Sequence, residues 1–226
     1  MLIAGLLDLI APTRCAGCDL PGSTMCPACA SAIVRADADT SCTRCGAIGA
    51  GSGGARCVEC EGREFGFEAA LAVGPFEPPL SRAITLYKDS GERRYSGFLG
   101  AILADTCSRW SGWPDVVVPV PPTRAARSRR GFDHTLPLAR AVGDALAAPV
   151  ERRLCVSGRR DQRALGRDAR FANMAGAFSV VGEVGLPTRV LLVDDVMTTG
   201  ATLDAASRAL LAAGASHVRV IVLARA

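Results

Sequence analysis

From Glu68 onward the chain alternates short apolar runs with longer amphipathic stretches. The segments EAALAVG, DVVVPVPP, RVLLVDD and HVRVIVLA are rich in Val, Leu and Ile and are four to eight residues deep in apolar character, the length and composition of strands. RRLCVSG, at 152–158, reads as a weaker strand. Between them lie helical patterns. One follows the proline-marked turn after the first strand, and a second is suggested by Phe98, Leu99, Ala101, Ile102 and Leu103. In LPLARAVGDALAAPV the apolar side is Leu136, Leu138, Ala139, Val142 and Leu146. GATLDAASRALLAAGA forms a last helix, ending at Gly214. Strands apolar throughout, separated by helices, predict an α/β fold: a mostly parallel sheet with helices on both faces. In such sheets ligands bind at the carboxyl ends of the strands, here the loops after Val118, Leu154 and Val193. The polar stretch RRDQRALGRDARFANMAGAF, at 159–178, fits no element.

Before Glu68 the pattern changes. Eight of the ten cysteines lie there, as four C-x-x-C pairs: Cys15 with Cys18, Cys26 with Cys29, Cys42 with Cys45, and Cys57 with Cys60. The residues between them are mostly Gly, Ser, Ala and Asp, too little apolar material for a core. Two residues between thiolates make a tight knuckle that presents both sulfurs to one ion, and two knuckles complete a tetrahedron. Eight cysteines therefore predict two structural Zn²⁺ sites, with the first knuckle joined to the second or, in a cross-braced pairing, to the third. No ligand position remains open for catalysis. Cys107 and Cys155 stand apart and are expected to be small buried hydrophobes. Two domains follow: residues 1–66, an N-terminal helix plus a Cys-rich unit, and residues 67–226, the α/β unit.

The helix at the start, MLIAGLLDLI, has its apolar residues on one side and is expected to dock on the body of the protein. It lacks the basic region and cleavage site of a signal peptide, and no stretch reaches the roughly 20 apolar residues of a membrane span. The expected location is cytoplasmic. Aromatic residues are only 5% of the chain, so aliphatic side chains must fill the core. The net charge of +4 does not by itself indicate a nucleic-acid partner. Its distribution is more informative, because twelve arginines lie between Arg124 and Arg170, with runs of them in what read as loops. They are either a solvated face or a surface that meets phosphates.

The most informative stretch is VLLVDDVMTTGATL, residues 190–203. An apolar strand ends in Asp194 and Asp195, and a small hydroxyl-rich turn, Thr198, Thr199, Gly200, Ala201 and Thr202, opens the next helix. Helix N-termini have unpaired N–H groups and favour anions, so the turn can cradle a phosphate. No lysine follows the glycine, which excludes the nucleoside-triphosphate loop. Two carboxylates beside a phosphate make sense if the ligand also carries hydroxyls. The stretch reads as a site for a ribose 5-phosphate whose anomeric carbon is activated.

LLVDDVMTTGAT resembles the phosphoribosyl pyrophosphate (PRPP) loop of type I phosphoribosyltransferases. With the four C-x-x-C pairs, LYKDSG at 86–91, VVVPVP at 116–121, RRGF at 129–132 and QRALGRDARFAN at 162–173, the chain is similar over nearly its whole length to the ComF family of competence and DNA-utilisation proteins. That family joins a double zinc ribbon to a type I phosphoribosyltransferase-like domain. The resemblance implies that Asp194 and Asp195 hold the ribose hydroxyls and serve catalysis, and that residues 198–202 hold the 5′-phosphate. It implies pyrophosphate and phosphate contacts from Lys88, Pro119, Val120 and Arg130, with a non-proline cis peptide often found in the turn at 119–121. It makes 159–171, with Gln162 and Arg170, a mobile loop, and brings Mg²⁺ with PRPP. Implied partners are PRPP or a nucleotide 5′-phosphate, single-stranded DNA, and proteins of DNA uptake or helicase type. Two departures stand out: Asp133-His134 where the family has Asn-Gln, and Tyr87-Lys88 in place of Lys-Tyr. A lone histidine is usually structural, so His134 is left out of the catalytic set.

Overall fold

The computed structural model describes residues 12–37, 39–49, 57–58, 60–156, 176–182 and 185–226. The N-terminal apolar segment and the expected mobile loop, with Gln162 and Arg170, lie outside the described residues. Short helix α1 (Pro27–Ser31) belongs to the Cys-rich part. Then come β1 (Ala69–Pro75), α2 (Leu80–Lys88), α3 (Ser96–Cys107), β2 (Val116–Pro119), α4 (Arg124–Arg130), α5 (Thr135–Leu146), β3 (Leu154–Val156), β4 (Phe178–Val180), β5 (Arg189–Met197), α6 (Ala201–Ala212) and β6 (His217–Arg225).

The main sheet has four strands in the order β1-β6-β5-β2, all parallel. Alternation divides each strand between two apolar layers. Val116, Val118, Val190, Leu192, Val220 and Val222 join Leu203, Ala206 and Leu210 of α6 on one face. Val117, Leu191, Val193, Ile221 and Leu223 meet α2, α3 and α5 on the other, through Ile84, Leu103, Leu138 and Val142. Each buried aliphatic side chain contributes about 2 kcal/mol. The two Cys-rich halves go to opposite layers: Cys15 packs with the helical face of α2 and α3, whereas Cys42, Cys45, Cys57 and Cys60 pack with α6.

The structure corrects three local expectations. RRLCVSG does form a strand, but β3 pairs antiparallel with β4 in a separate two-stranded sheet, so it is not a strand of the main parallel sheet. Cys155 is exposed there, while Cys107 is buried as expected. The arginines at 124–130 are helical: Thr123 Oγ1 accepts from Ala126 N at 3.1 Å, and Gly131, at φ 73°, closes the helix in the left-handed conformation. Among the described residues no helix is long and apolar enough to cross a membrane.

Candidate functional site

β5 carries Asp194 and Asp195 to the carboxyl edge of the sheet, and both are buried. Asp195 is the hub. Its Oδ2 lies 2.6 Å from Lys88 Nζ and 2.9 Å from His134 Nε2, and its Oδ1 accepts from Val196 N at 2.7 Å. Lys88 arrives from the last turn of α2 and His134 from the residue before α5. The order Tyr87-Lys88 has a reason in helix geometry. Neighbouring side chains point about 100° apart, so Tyr87 enters the core, donating to His134 O at 2.6 Å, while Lys88 reaches the acid. His134 Nδ1 lies 3.3 Å from Arg130 Nη1. A guanidinium only donates, so Nδ1 accepts and Nε2–H is turned to Asp195. Arg130 also meets Asp89 at 3.4 Å. The result is a chain of contacts from Arg130 through His134 to Asp195, with Lys88 on its other side.

This hub separates the two carboxyls. Burial pushes Asp194 up to about 7, and the charge on Asp195 adds to it. Burial also opposes ionisation of Asp195, but the His134 hydrogen bond and the Lys88 charge outweigh it and hold that group well below the usual carboxylate range. One member of the pair is thus a firm anion and the other sits near its titration point at neutral pH.

Beyond Met197 the chain turns through Thr198, exposed, and Thr199, half-buried, into Gly200 at φ 83°, where a side chain is strained. A Cβ there would also lie 2.8 Å from Met197 Cε and 3.2 Å from Phe65 Cε1. Thr199 Oγ1 accepts from Ala201 N at 3.4 Å. Buried Arg225 donates from Nη1 to the carbonyls of Met197 and Thr198. That ties up two oxygens whose negative ends would repel an anion at this turn.

The turn after β2 is different from what was expected. Pro119 and Pro121 have no N–H, and Val120 N donates to Val193 O at 2.9 Å. Val120 O accepts from Thr135 Oγ1 at 2.6 Å. This turn therefore presents no spare amide from 119–121. The cis peptide bond among the described residues is Pro78–Pro79, not one in this turn.

The eight knuckle cysteines form two sets, Cys15, Cys18, Cys26 and Cys29, then Cys42, Cys45, Cys57 and Cys60, so neighbouring knuckles pair in sequence order. Ligand sulfurs in each set lie within 4.8 Å of one another. Measured separations of 3.9 Å (Cys18–Cys26), 3.8 Å (Cys42–Cys60) and 3.5 Å (Cys45–Cys57) are close to the ~3.8 Å edge of a tetrahedron with Zn–S bonds near ~2.3 Å. Cys15 Sγ accepts from Cys26 N and Gly17 N. Burial pushes this thiol up, but those amides outweigh it and bring it to about 6. Gly17 is required, because a Cβ there would sit 2.5 Å from Cys29 Sγ. Four sulfurs at these distances suit zinc.

Comparison with known proteins agrees with this layout. The family described as Phosphoribosyl transferase domain matches residues 187–226, the span of β5, the turn, α6 and β6. Competence protein F of Haemophilus influenzae is 30% identical over 179 residues, 75% of this chain and 78% of its own length. The chain belongs to the ComF family. Among other ComF relatives, the DNA utilization protein YhgH of Salmonella typhi is 28% identical over 233 residues, covering 96% of this chain and 99% of its own. Competence protein ComFC of Streptococcus pneumoniae is 29% identical over 157 residues, 68% of this chain and 67% of its own. Of solved structures, glutamine PRPP amidotransferase from B. subtilis is similar at 24% identity and a TM-score of 0.40, over 58% of this chain and 27% of that one.

His134 is a residue of the candidate site that sequence reasoning left out in this ComF chain. The signal was available: it follows RRGF and opens a helix, at a departure from the family pattern. Asp133, beside it, does not oppose an anion as its charge suggests. Its Oδ1 accepts from Thr135 Oγ1 and Leu136 N at the start of α5, and its Oδ2 meets Arg152 at 3.0 Å. Arg130 and Lys88 are brought to the acid pair, within one network.

Proposed function

We propose that this ComF-family protein binds a ribose 5-phosphate, as PRPP or a nucleotide 5′-phosphate, at the β5–α6 junction. The observation that carries the reading is the pairing of a buried, electrostatically split Asp194–Asp195 with a Gly200-centred helix start one turn away. The ribose hydroxyls would meet the carboxylates, and the 5′-phosphate the amides and hydroxyls of 198–202. Lys88 neutralises Asp195 in the free protein, and a diol donating to Asp195 frees the ammonium for the ligand's phosphates. Asp194 and Asp195 would favour a Mg²⁺ ion accompanying PRPP through their negative charge, and such an ion would supply charge neutralisation to the leaving pyrophosphate. Residues 159–171 are proposed to close over the ligand.

In the transfer reaction the anomeric C–O bond to pyrophosphate breaks, and a nitrogen of the acceptor bonds to that carbon and gives up its proton to water or to the departing pyrophosphate. The positive charge that develops on the ribosyl ring lies beside Asp194 and Asp195, which stabilise it without proton transfer. Titration of PRPP with Mg²⁺ by calorimetry, and pyrophosphate release against a panel of bases with and without single-stranded DNA, tests both halves. Saturable binding with release supports a transferase. Binding without release on any base supports a ligand sensor, and no binding removes the reading.

A second reading has its own observation. Helix α4 presents Arg124, Arg127 and Arg129 to solvent with no acid in its sequence, adjoining the site through Arg130. Three phosphate contacts on single-stranded DNA predict a slope of log affinity against log salt of roughly −2. Changing the three arginines to Gln is expected to flatten that slope; an unchanged slope in the triple variant would remove α4 from the DNA surface.

A further inference from the structure

The second cysteine cluster lies close to the phosphate turn in space, though its knuckles are some 140 residues away in sequence, Cys60 against Gly200. The path between them is short and made of specific contacts. Arg44 sits inside the third knuckle, between Cys42 and Cys45. Its Nη2 donates to Phe65 O at 2.7 Å and its Nη1 to Glu68 O at 3.0 Å, so one guanidinium spans the segment leading into β1. Thr43 O of the same knuckle accepts from Ala70 N at 3.3 Å. The fourth knuckle holds the other end, with Arg63 N donating to Cys60 O at 3.0 Å. The segment 63–68 is thus pinned by both knuckles of the cluster.

Its other side is pressed onto the start of α6. The Phe65 ring stacks on Phe67 at 4.7 Å and 17° and lies beneath Gly200. Gly66 N donates to Asp204 Oδ1 at 2.7 Å, in the first turn of α6. Arg208 closes the arrangement, with Nε 3.0 Å from Asp204 and Nη2 donating to Glu64 O at 2.5 Å. The approach is close: a Cβ on Gly66 would lie 2.9 Å from Arg208 Cγ and 3.1 Å from Ser207 Cβ.

We propose that the second cysteine cluster, when it holds its ion, is the anchor that positions the phosphate turn, acting through Arg44 and the 63–68 segment, with Phe65 and Asp204 as the positioning residues at the turn. This rests on the reading of 198–202 as a phosphate turn. A helix start binds an anion well only if its amides are held in place before the ligand arrives. Gly200 has the conformational freedom to let the turn wander, and the Phe65 ring removes it from below. A cluster closed to catalysis thereby acts on ligand affinity from the opposite end of a rigid strut.

The test uses the full zinc-loaded chain with Phe65→Ala, the conservative Phe65→Tyr, and Arg44→Gln against Arg44→Lys. Zinc content is measured first, and hydrogen exchange is followed in peptides covering 198–206 and, as a reference, 116–119. With zinc retained, Phe65→Ala and Arg44→Gln are expected to raise exchange at 198–206 roughly tenfold relative to 116–119, with recovery in Phe65→Tyr and only partial recovery in Arg44→Lys, which lacks the fork that reaches both carbonyls. Unchanged exchange at 198–206, or an equal rise in both peptides, overturns the strut. Ribose 5-phosphate affinity, read by calorimetry, is expected to fall about tenfold in the same variants while Phe65→Tyr stays near the unaltered protein. Failure of the unaltered protein to bind ribose 5-phosphate removes the ligand reading, while the exchange comparison still decides the mechanical link.

Discussion

At pH 8, Asp194→Asn is expected to melt above the unaltered protein and Asp195→Asn below it, although the two residues are adjacent and both are buried. The signs follow from the environments. Asp194 is raised to about 7, so the folded chain holds a proton there that the unfolded chain has lost. As pH rises from about 4 to about 7 that group withdraws stability, and at pH 8 the full penalty applies. Asparagine keeps the acceptor for Asp195 N at 2.8 Å and removes the charge. At about 1.4 kcal/mol per unit the shift corresponds to about 4 kcal/mol, of which the asparagine's own buried amide offsets about half, so a gain of roughly 2 kcal/mol and several °C in Tm is expected. Asp195 has the opposite linkage. Its folded value is lowered, so its contribution is present above about 4 and lost as pH falls further. Removing its charge strands Lys88, whose side chain is 26% exposed, and orphans the His134 donor. Breaking a fully buried pair costs about 3–5 kcal/mol, and the partial exposure of Lys88 reduces this to roughly 2. Thermal melts of both variants from pH 5 to 8 check the pattern. Shifts of the same sign would mean the hub at Asp195 is wrongly drawn. Both variants are also expected to lose most ribose 5-phosphate affinity, so the more stable one would be the poorer binder, the usual sign of a functional group held at a cost to the fold.

The two cysteine clusters are expected to differ in what their loss does. About two zinc ions per chain should be found in protein purified without chelator. Removal of the second cluster's ion, or Cys60→Ser, is expected to abolish the cooperative melt. Its four cysteines are buried in the apolar layer that contains Leu203 and Val220, so four uncompensated thiols would face the sheet directly. Apparent binding free energies of about 10–16 kcal/mol for such sites exceed the stability of most domains. Cys18→Ser in the first cluster is expected to lower Tm but leave a folded sheet, because Cys18 is exposed and Cys26 and Cys29 are half-buried. Equal losses from the two substitutions would refute the distinction, and a chain without zinc would refute both cluster assignments.

Local chemistry made much of this protein readable in advance. β-branched runs specify β2, β5 and β6 because a strand buried on both faces must be apolar along its length. The i, i+3, i+4 spacing of Leu138, Val142 and Leu146 specifies α5 for the same local reason. The C-x-x-C spacing foretells that the eight cysteines gather in two sets of four, and the acid pair and the Thr-Gly turn fall, as their order implies, at the end of β5 and the start of α6. Weak local signals failed. Three residues of β3 and three of β4 cannot show whether they join the main sheet, and an arginine run reads as a loop until Thr123 and Gly131 are seen to cap it.

Other facts are absent from any single stretch. Which knuckles share an ion depends on how the chain returns, and the answer, first with second and third with fourth, comes from the packed arrangement. His134, 61 residues before Asp195, enters the site because α5 packs on β2 and β5, and Tyr87 holds its backbone in place. Lys88 and Asp195 lie 107 residues apart and meet at 2.6 Å because α2 and β5 end at the same edge of the sheet. Sequence by itself determined the elements and the chemical character of the turn, since both rest on neighbours a few residues away. The tertiary structure alone decided the charge state of the acid pair and what supports the turn, since desolvation, ion pairing and the contact of Phe65 with Gly200 exist only once distant segments are packed.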